Sequence, residues 1–234
     1  MTTQEEISNV FNSEGKLLQI EYGLEAVNHS LPVITVRSRD MIVCAAKRIM
    51  QDKLEDECLS SFARVSERCF VAITGLPGDV EYIVQRIKMI ANKETFSLGF
   101  EVTPDILCRQ FADKMQKLIQ SSAERPAAFS ASIFGFDAGK AMVYQTDMSG
   151  ICYPCYATAV GEKHGKMSKY IEKSYVEGAD SRELVELAVA ALLESLGNDS
   201  VCSEMEVAYL NAGEPLKYLS AEEIDRVLQE IAEK

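Results

Sequence analysis

The chain has 234 residues, of which 47% are hydrophobic and 26% are charged, a composition typical of a folded globular protein. Its 24 basic and 36 acidic side chains give a net charge of −12, which argues against nucleic-acid binding because that needs a basic surface. Seven cysteines are an odd number and indicate reduced thiols rather than a disulfide framework. No apolar run is long enough for a membrane span and no signal-peptide pattern opens the chain, so we expect an intracellular protein.

The first half of the chain predicts a helix, two hairpins and two further helices. Apolar residues at helical spacing predict a short helix over residues 15–28. Runs of β-branched and apolar residues, separated by turn residues, predict strands at 32–37, 41–47, 64–65 and 69–74. The period then changes to that of a helix over 79–93, and Thr103-Pro104 begins another helix that continues to about Gln120.

The second half repeats this order of strands followed by helices. Alternating and β-branched runs predict strands at 128–136, 141–146, 151–160 and 203–210. Helical blocks are predicted at 166–175, at 180–196 with Asp180 as the N-cap, and from Ser220, whose segment SAEE is a capping box.

The order of elements indicates an α+β fold. Pairs of helices lie between blocks of hairpin-linked strands, so they cannot be the crossovers that cover a parallel sheet. We therefore predict a layered sandwich of antiparallel sheets flanked by helices. No linker composition or internal repeat divides the chain, which predicts one domain.

The residues that usually carry chemistry are scarce. Cys152 and Cys155 have the spacing of half a zinc site or of a redox pair, but no second such pair follows, so we interpret them as thiols on opposite faces of a strand. The two histidines, His29 and His164, have no nucleophile motif beside them. The sequence therefore predicts no metal site, no cofactor and no catalytic constellation.

A long motif near the N-terminus resembles a known family. The segment FNSEGKLLQIEYGLEA, Phe11–Ala26, resembles the proteasome alpha-type signature F-S-P-[DE]-G-[RK]-L-x-Q-V-E-Y-A-x-x-A. GLPGD at Gly75–Asp79 stands where that family has G-[LM]-x-A-D, and Arg125-Pro126 precedes a returning strand as in the family. Three further segments resemble the alpha-one type, also called alpha type six, namely Lys47–Leu54, Ala157–Gly161 and Leu219–Asp225.

The resemblance implies the N-terminal nucleophile hydrolase fold, a four-layer αββα sandwich of two antiparallel sheets with an extra N-terminal helix. On this basis residues 1–234 form one domain, with a tail at 1–10, the helix at 15–28 and the sandwich at 32–234. Active relatives use an N-terminal threonine whose own amine is the base. Here about thirty residues precede the strand at Pro32, and Ala46 stands where the supporting aspartate is expected. The resemblance therefore implies a non-catalytic subunit.

Such a subunit is expected in the seven-membered outer ring of the proteasome core particle, where it would contribute to ring assembly, substrate-entry gating and docking of regulatory caps. The implied partners are neighbouring alpha subunits, beta-ring subunits and caps, and the implied location is cytoplasmic and nuclear. The ring-entrance residues are Phe11, Ser13, Gly15, Gln19, Glu21 and Tyr22.

Two features depart from the family pattern. Ser13 replaces the motif proline, and Gln4-Glu5-Glu6 replaces Tyr-Asp-Arg, so we expect the first six or so residues to be mobile or held only by neighbours. The lysine that meets a cap's terminal carboxylate in the family falls near Ser61, and this chain has no lysine there or at Arg64. Either the pocket on this side is silent, or Arg64 substitutes for the lysine. The alternative function is a catalytically active amidohydrolase or peptidase of the same fold, which would need a processed N-terminus that exposes Thr, Ser or Cys.

Overall fold

The computed structural model describes residues 10–48, 54, 59–120, 125–197 and 201–233. Within these ranges it contains two five-stranded antiparallel sheets and six α-helices, which confirms the predicted α+β sandwich. The tail at 1–10, apart from Val10, lies outside the described residues, and so do residues 49–53 of the segment that resembles the alpha-one type. No helix in the part of the chain that the structure describes is both long and apolar enough to cross a membrane.

The strands and helices alternate in blocks along the chain. The strands are β1 (Val33–Arg37), β2 (Met41–Lys47), β3 (Phe62–Arg64), β4 (Cys69–Gly75), β5 (Phe129–Asp137), β6 (Lys140–Asp147), β7 (Tyr153–Pro154), β8 (Ala157–Val160), β9 (Met205–Asn211) and β10 (Lys217–Tyr218). The helices are α1 (Leu18–Asn28), α2 (Pro77–Leu98), α3 (Pro104–Ile119), α4 (His164–Ser174), α5 (Ser181–Leu196) and α6 (Ala221–Ala232).

The two sheets differ in how far their strands lie apart in the sequence. The first sheet has the order β10-β9-β2-β1-β8, so its central hairpin pairs with strands from the last third of the chain. The second sheet is a meander in the order β3-β4-β5-β6-β7. Apolar side chains fill three layers: α4, α5 and α6 pack on the first sheet, α2 and α3 pack on the second, and a middle layer lies between the sheets.

Local sequence explains several helix boundaries. Asp180 accepts from the Glu183 N–H while the Glu183 side chain accepts from the Asp180 N–H, and Ser220 and Glu223 form the same capping box at α6. Helix α2 starts with Pro77 in its first turn and ends before Gly99, whose φ of +77° suits glycine. It is longer than the predicted 79–93.

Three predicted elements need correction. The predicted strand at 151–160 is two strands, because β7 belongs to the second sheet and β8 to the first. The predicted strand at 203–210 begins with a short 3₁₀ turn, Cys202–Glu204, before β9. The predicted helix at 15–28 begins only at Leu18, because Gly15 has a φ of +75° and belongs to the preceding turn.

Candidate functional site

A tight turn leads the chain into α1. The backbone N–H groups of Glu14 and Lys16 donate to Asn12 Oδ1 at 3.0 and 2.9 Å, and the Gly15 N–H donates to the Asn12 carbonyl at 3.0 Å. Gly15 adopts the left-handed conformation that this turn requires. The motif residues Asn12 and Gly15 thus fix the direction in which α1 begins, while Ser13 is exposed between them.

Helix α1 presents one face to the protein and one to solvent. Ile20 and Leu24 pack against the core layer under α2 and α3, and Val27 is buried. Ile20 and Leu24 stay only half-buried, so the single chain does not cover this apolar face completely. The outward side chains are Glu21 and Tyr22, with Tyr22 67% exposed.

The six predicted entrance residues lie together on this turn and helix. Phe11 is 69% exposed, so it and Tyr22 leave two aromatic rings in solvent within one short segment. Gln19 is half-buried and Glu21 is exposed. We call this group of exposed and half-buried residues the entrance surface: Phe11, Ser13, Gly15, Gln19, Glu21 and Tyr22.

The motif segments that are distant in sequence converge beneath α1. Arg125 donates two hydrogen bonds to the Asp79 carboxylate, at 2.7 and 2.8 Å, and the Ala128 N–H donates to the same carboxylate at 2.8 Å. The Arg125 guanidinium holds the pKa of Asp79 below its usual value. A β-carbon on Gly75 would lie 2.2 Å from the Ala128 carbonyl oxygen, so glycine is needed where β4 passes β5. Asp79 and Arg125 therefore join the start of α2 to the strand that supports α1.

The position of the nucleophile in active relatives is apolar here. Val33 opens β1 and pairs with Ala46 on one side and Val160 on the other. Val33 and Ala46 are buried, and the chain continues upstream of Val33 through Pro32 and α1, so no free amine lies at this strand. A hydroxyl, an amine base and a supporting acid are all missing from this position.

Hydroxyl groups inside the sandwich bind one another rather than a base. Thr35 and Ser132 lie 2.6 Å apart, oxygen to oxygen, and the Cys44 thiol donates to Thr35 Oγ1 at 3.6 Å. Burial raises the pKa of Cys44 to about 12, so its thiol stays neutral. In a second set of bonds, the Thr158 hydroxyl donates to Gln145 Oε1 at 2.7 Å, and Gln145 Nε2 donates to the Ser130 hydroxyl at 2.7 Å. These bonds tie the two sheets together but activate no nucleophile.

The predicted cap-docking residues lie on different faces of β3. Phe62 packs between the sheets and Ala63 packs under α2 and α3, so alternation places Ser61 and Arg64 on opposite faces. The Ser61 N–H donates to Glu206 at 3.2 Å, and the Ser60 hydroxyl donates to the same carboxylate at 2.6 Å. Sequence reasoning missed Glu206, which sets a negative charge beside the position where a cap carboxylate is expected.

Arg64 faces a separate cavity at the other side of the strand. Its guanidinium Nε donates to the Ser66 carbonyl at 3.0 Å, and the residue lines a cavity of about 860 Å³. Aromatic and aliphatic side chains form much of the wall, and Glu67 and Glu214 offset the charge of Arg64 and Arg68. The cavity lies between the start of β4, the β5–β6 turn and the β9–β10 turn.

The remaining candidates for metal or redox chemistry do not form a ligand set. Cys152 packs against the layer under α2 and α3, whereas Cys155 packs between the sheets, so the two thiols lie on opposite faces of the second sheet as predicted. Across the described ranges, no group of His, Cys, Asp and Glu side chains is arranged to hold a metal ion.

Comparison with known proteins places these features in a family. A family model described as "Proteasome subunit" matches residues 27–210. The chain is 31% identical to proteasome subunit alpha type-8 of Mus musculus, over 95% of this chain and 90% of that protein. It is 32% identical to proteasome subunit alpha type-7-B of Oryza sativa subsp. indica, over 96% of this chain and 91% of that protein. The alpha type-7 subunit of Solanum lycopersicum is also 32% identical, over 96% of this chain and 87% of the relative.

Proposed function

The chain belongs to the proteasome subunit family, and we propose that it is a non-catalytic alpha-type subunit in the outer ring of the core particle. One observation carries the proposal. The pairing of Val33 with Ala46 leaves neither nucleophile nor acid where active relatives of this fold carry them. Its role is then to assemble with other proteasome subunits rather than to cleave peptides.

The position within the ring stays open. The relatives named above carry the names alpha type-7 and alpha type-8, and none of them supports the predicted alpha-one subtype. We therefore propose a place in a seven-membered alpha ring without choosing its two neighbours. As part of the same proposal, the chain is located in the cytoplasm and the nucleus.

The entrance surface supports a contact with neighbouring alpha subunits. Phe11 and Tyr22 expose aromatic rings on a turn and helix that Ile20 and Leu24 anchor to the core layer under α2 and α3. Aromatic side chains are enriched at the buried centres of protein interfaces. We propose that these two rings pack against the adjacent subunit at the substrate entrance.

A second surface lies on α2. Tyr82, Met89 and Phe96 follow one another at intervals of seven residues, so they share one face of the helix. All three are exposed, and Phe96 is 90% exposed. We call them the outer stripe of α2.

The outer stripe leads away from the entrance surface. Phe96 lies about 25 Å along the axis from Asp79, at about 1.5 Å per residue, and Asp79 marks the end of α2 nearest α1. The stripe thus ends on the side of the subunit away from the proposed entrance. We propose that this end contacts the beta ring.

Regulatory caps are the third proposed partner. Of the two predicted docking residues, Ser61 lies beside Glu206 and Arg64 lies on the cavity rim. Of these two residues, only Arg64 has a positively charged group that can bind a carboxylate. Glu67 lines the same cavity, and its negative charge opposes such binding. We propose that cap tails dock weakly at this subunit and depend on the facing neighbour.

Native mass spectrometry of complexes purified through a tag on this chain tests the function. We expect the chain, with its N-terminal segment intact, in particles that also contain alpha and beta subunits. The chain on its own should not cleave fluorogenic peptides. Recovery of a free chain with a processed N-terminus and peptidase activity would instead favour the amidohydrolase alternative.

The stripe has its own test. Met89→Ser together with Phe96→Ser should lower the fraction of the chain that enters core particles. Val176→Ser is the matched control, because Val176 is 64% exposed but lies in the turn after α4. If both variants enter core particles equally, the outer stripe of α2 is not part of the interface.

A further inference from the structure

Two thiols from different elements meet on the outer side of the second sheet. Cys108 lies in α3, and Cys152 lies in the loop between β6 and β7. This loop runs closely along α3, because a β-carbon on Gly150 would lie 3.0 Å from the Gln116 nitrogen and 3.2 Å from the Ala112 oxygen. One helical turn before Ala112, the Cys108 thiol donates to the Gln145 carbonyl at 4.0 Å, and Gln145 pairs across the sheet with Tyr153, the residue after Cys152. Both thiols therefore lie beside this pair of residues, in the same apolar layer under α2 and α3.

The two thiols differ in access to solvent. Cys108 is fully buried, among the side chains under α2 and α3. Cys152 is half-buried and packs on the edge of the same layer, so a small reagent can reach it first. An oxidant from solvent can therefore reach the Cys152 thiol, whereas the Cys108 thiol is shielded from it.

The charges around the pair favour the same order. The neighbouring Cys108 thiol and the positive charge of Arg109 lower the pKa of Cys152, against the opposing effects of burial, Asp105 and Asp113. The partner Cys152 and burial raise the pKa of Cys108. Thiolate is the nucleophilic form of cysteine, so Cys152 is the member of the pair that reacts with an electrophile.

The nearer cysteine in the sequence is not the partner. Cys155 lies on the opposite face of the sheet, where its thiol donates to the Val143 carbonyl at 3.7 Å. Pairing of β7 with β6 fixes Tyr153 and Pro154 between the two cysteines. A Cys152–Cys155 bond would require the strand to leave the sheet.

We propose that Cys152 and Cys108 form an oxidisable pair, in which Cys152 attacks hydrogen peroxide and Cys108 then closes a disulfide between the β6–β7 loop and α3. The Cys152 thiolate attacks one peroxide oxygen, the O–O bond breaks, and Cys152 becomes a sulfenic acid as the first water leaves. The Cys108 thiol attacks that sulfur, the S–O bond breaks, and a second water leaves. The two thiols lose two electrons and the peroxide gains them.

The bond would restrain a segment that also supports α1. Met148 precedes Cys152 by four residues and lies against Gly23 of α1. This inference rests on the arrangement of α3 and the loop and does not depend on the proposed proteasome role.

The test uses the full-length chain, reduced and then treated with hydrogen peroxide, followed by peptide mapping without reductant. We expect one linked pair of peptides, containing Cys108 and Cys152, that separates on addition of dithiothreitol. Before oxidation, iodoacetamide should modify Cys152 roughly tenfold faster than Cys108 or Cys155. Cys155→Ser is the matched control and should form the same link.

Cys108→Ser should trap the first step. Without its partner, the sulfenic acid on Cys152 should accumulate and react with dimedone, which it does not do in the unaltered chain. Should the Ser variant fail to fold, as judged by circular dichroism, Cys108→Ala serves the same purpose, and the map of the unaltered chain decides by itself. A Cys152–Cys155 link, loss of the link in Cys155→Ser, or an unmodified Cys152 after peroxide treatment would overturn the proposal.

Discussion

A β-carbon on Gly23 would lie 2.2 Å from both the Sδ and the Cε atoms of Met148. The alpha-type motif has alanine at this position, whereas this chain has glycine, which leaves room for the Met148 side chain. Met148 is only 2% exposed, so its side chain cannot swing into solvent to make room. The pair sets how closely α1 approaches the second sheet.

Gly23→Ala should destabilise the protein although alanine favours helices. Overpacking against Met148 costs about 1–3 kcal/mol, while the gain in helix propensity is about 1 kcal/mol. In a Met148→Ala background, which itself costs about 2–5 kcal/mol, the same change should become stabilising. A double-mutant cycle from urea unfolding measures this coupling, and purely additive effects would contradict it.

Arg125→Ala should lower stability in a pH-dependent way. Arg125 holds the pKa of Asp79 below its unfolded value, so the stabilisation is present above about pH 4 and is lost as the pH falls through the folded-state pKa. At pH 7 we expect a loss of about 1 kcal/mol, since the Arg125 side chain is 59% exposed and solvent screens the pair. Unfolding measured from pH 7 down to about pH 2 should show the free energies of unfolding of the two proteins becoming equal at the acid end.

Arg226→Ala provides the matched control for that series. Arg226 lies 4.0 Å from Glu222 on the exposed face of α6, and both side chains are largely in solvent. Its removal should leave the unfolding free energy nearly unchanged at every pH. A loss as large as that of Arg125→Ala would mean that net charge, not the Asp79 contact, sets the effect.

Glu206→Gln should strengthen docking of a cap tail if Ser61 faces one. The two bonds go to different oxygens of Glu206, so in the amide one oxygen accepts from the Ser61 N–H while the NH2 group donates to the Ser60 hydroxyl. The change removes the negative charge that repels a terminal carboxylate. One like charge at close range is worth about 1 kcal/mol in a solvated site, or roughly a fivefold change in affinity. Peptide-stimulated hydrolysis by core particles measures the half-maximal tail concentration.

The control for Glu206→Gln is the same peptide with a C-terminal amide, which should bind both proteins alike. Glu222→Gln on α6 matches the change in net charge at a distant position. If both glutamine variants lower the half-maximal tail concentration equally, the effect comes from net charge and not from a docking site at Ser61.

Deletion of residues 2–6 should raise peptide hydrolysis by the assembled core only slightly. Their sequence lacks the Tyr-Asp-Arg of the family, and ordering a chain segment costs about 1–2 kcal/mol per residue. Other subunits would then carry the seal. A rise as large as that produced by a regulatory cap would show that this tail is a principal gate element.

Local patterns in the sequence predicted much of the fold. The capping residues Asp180 and Ser220 lie where the helices begin, because a cap acts within three residues of the chain. The motif glycine Gly15 was recognised from its neighbours, but its place in a turn before α1 depends on the Asn12 hydrogen bonds.

Contacts between distant residues could not be predicted in this way. The strand at 151–160 changes sheets near Tyr156, where the Arg37 N–H donates to the Tyr156 carbonyl and the Arg37 guanidinium lies 4.5 Å from the Tyr156 ring. Side chains alternate between two faces in the same way in either sheet, so the sequence pattern does not show where the chain passes from one sheet to the other. Glu206 was missed because it reaches Ser61 across 145 residues of sequence.

The topology of the first sheet has a consequence for synthesis of the chain. The β1–β2 hairpin has nearly all of its residues buried in the native fold, and it pairs with β8 on one edge and β9 on the other. On the ribosome both edges stay open until residues 157–160 and 205–211 have emerged, whereas the second sheet can pair in order as it is made. Unpaired apolar edges are the sites at which nascent chains associate wrongly. We therefore expect the yield of this subunit to depend on protection of residues 33–47 during translation.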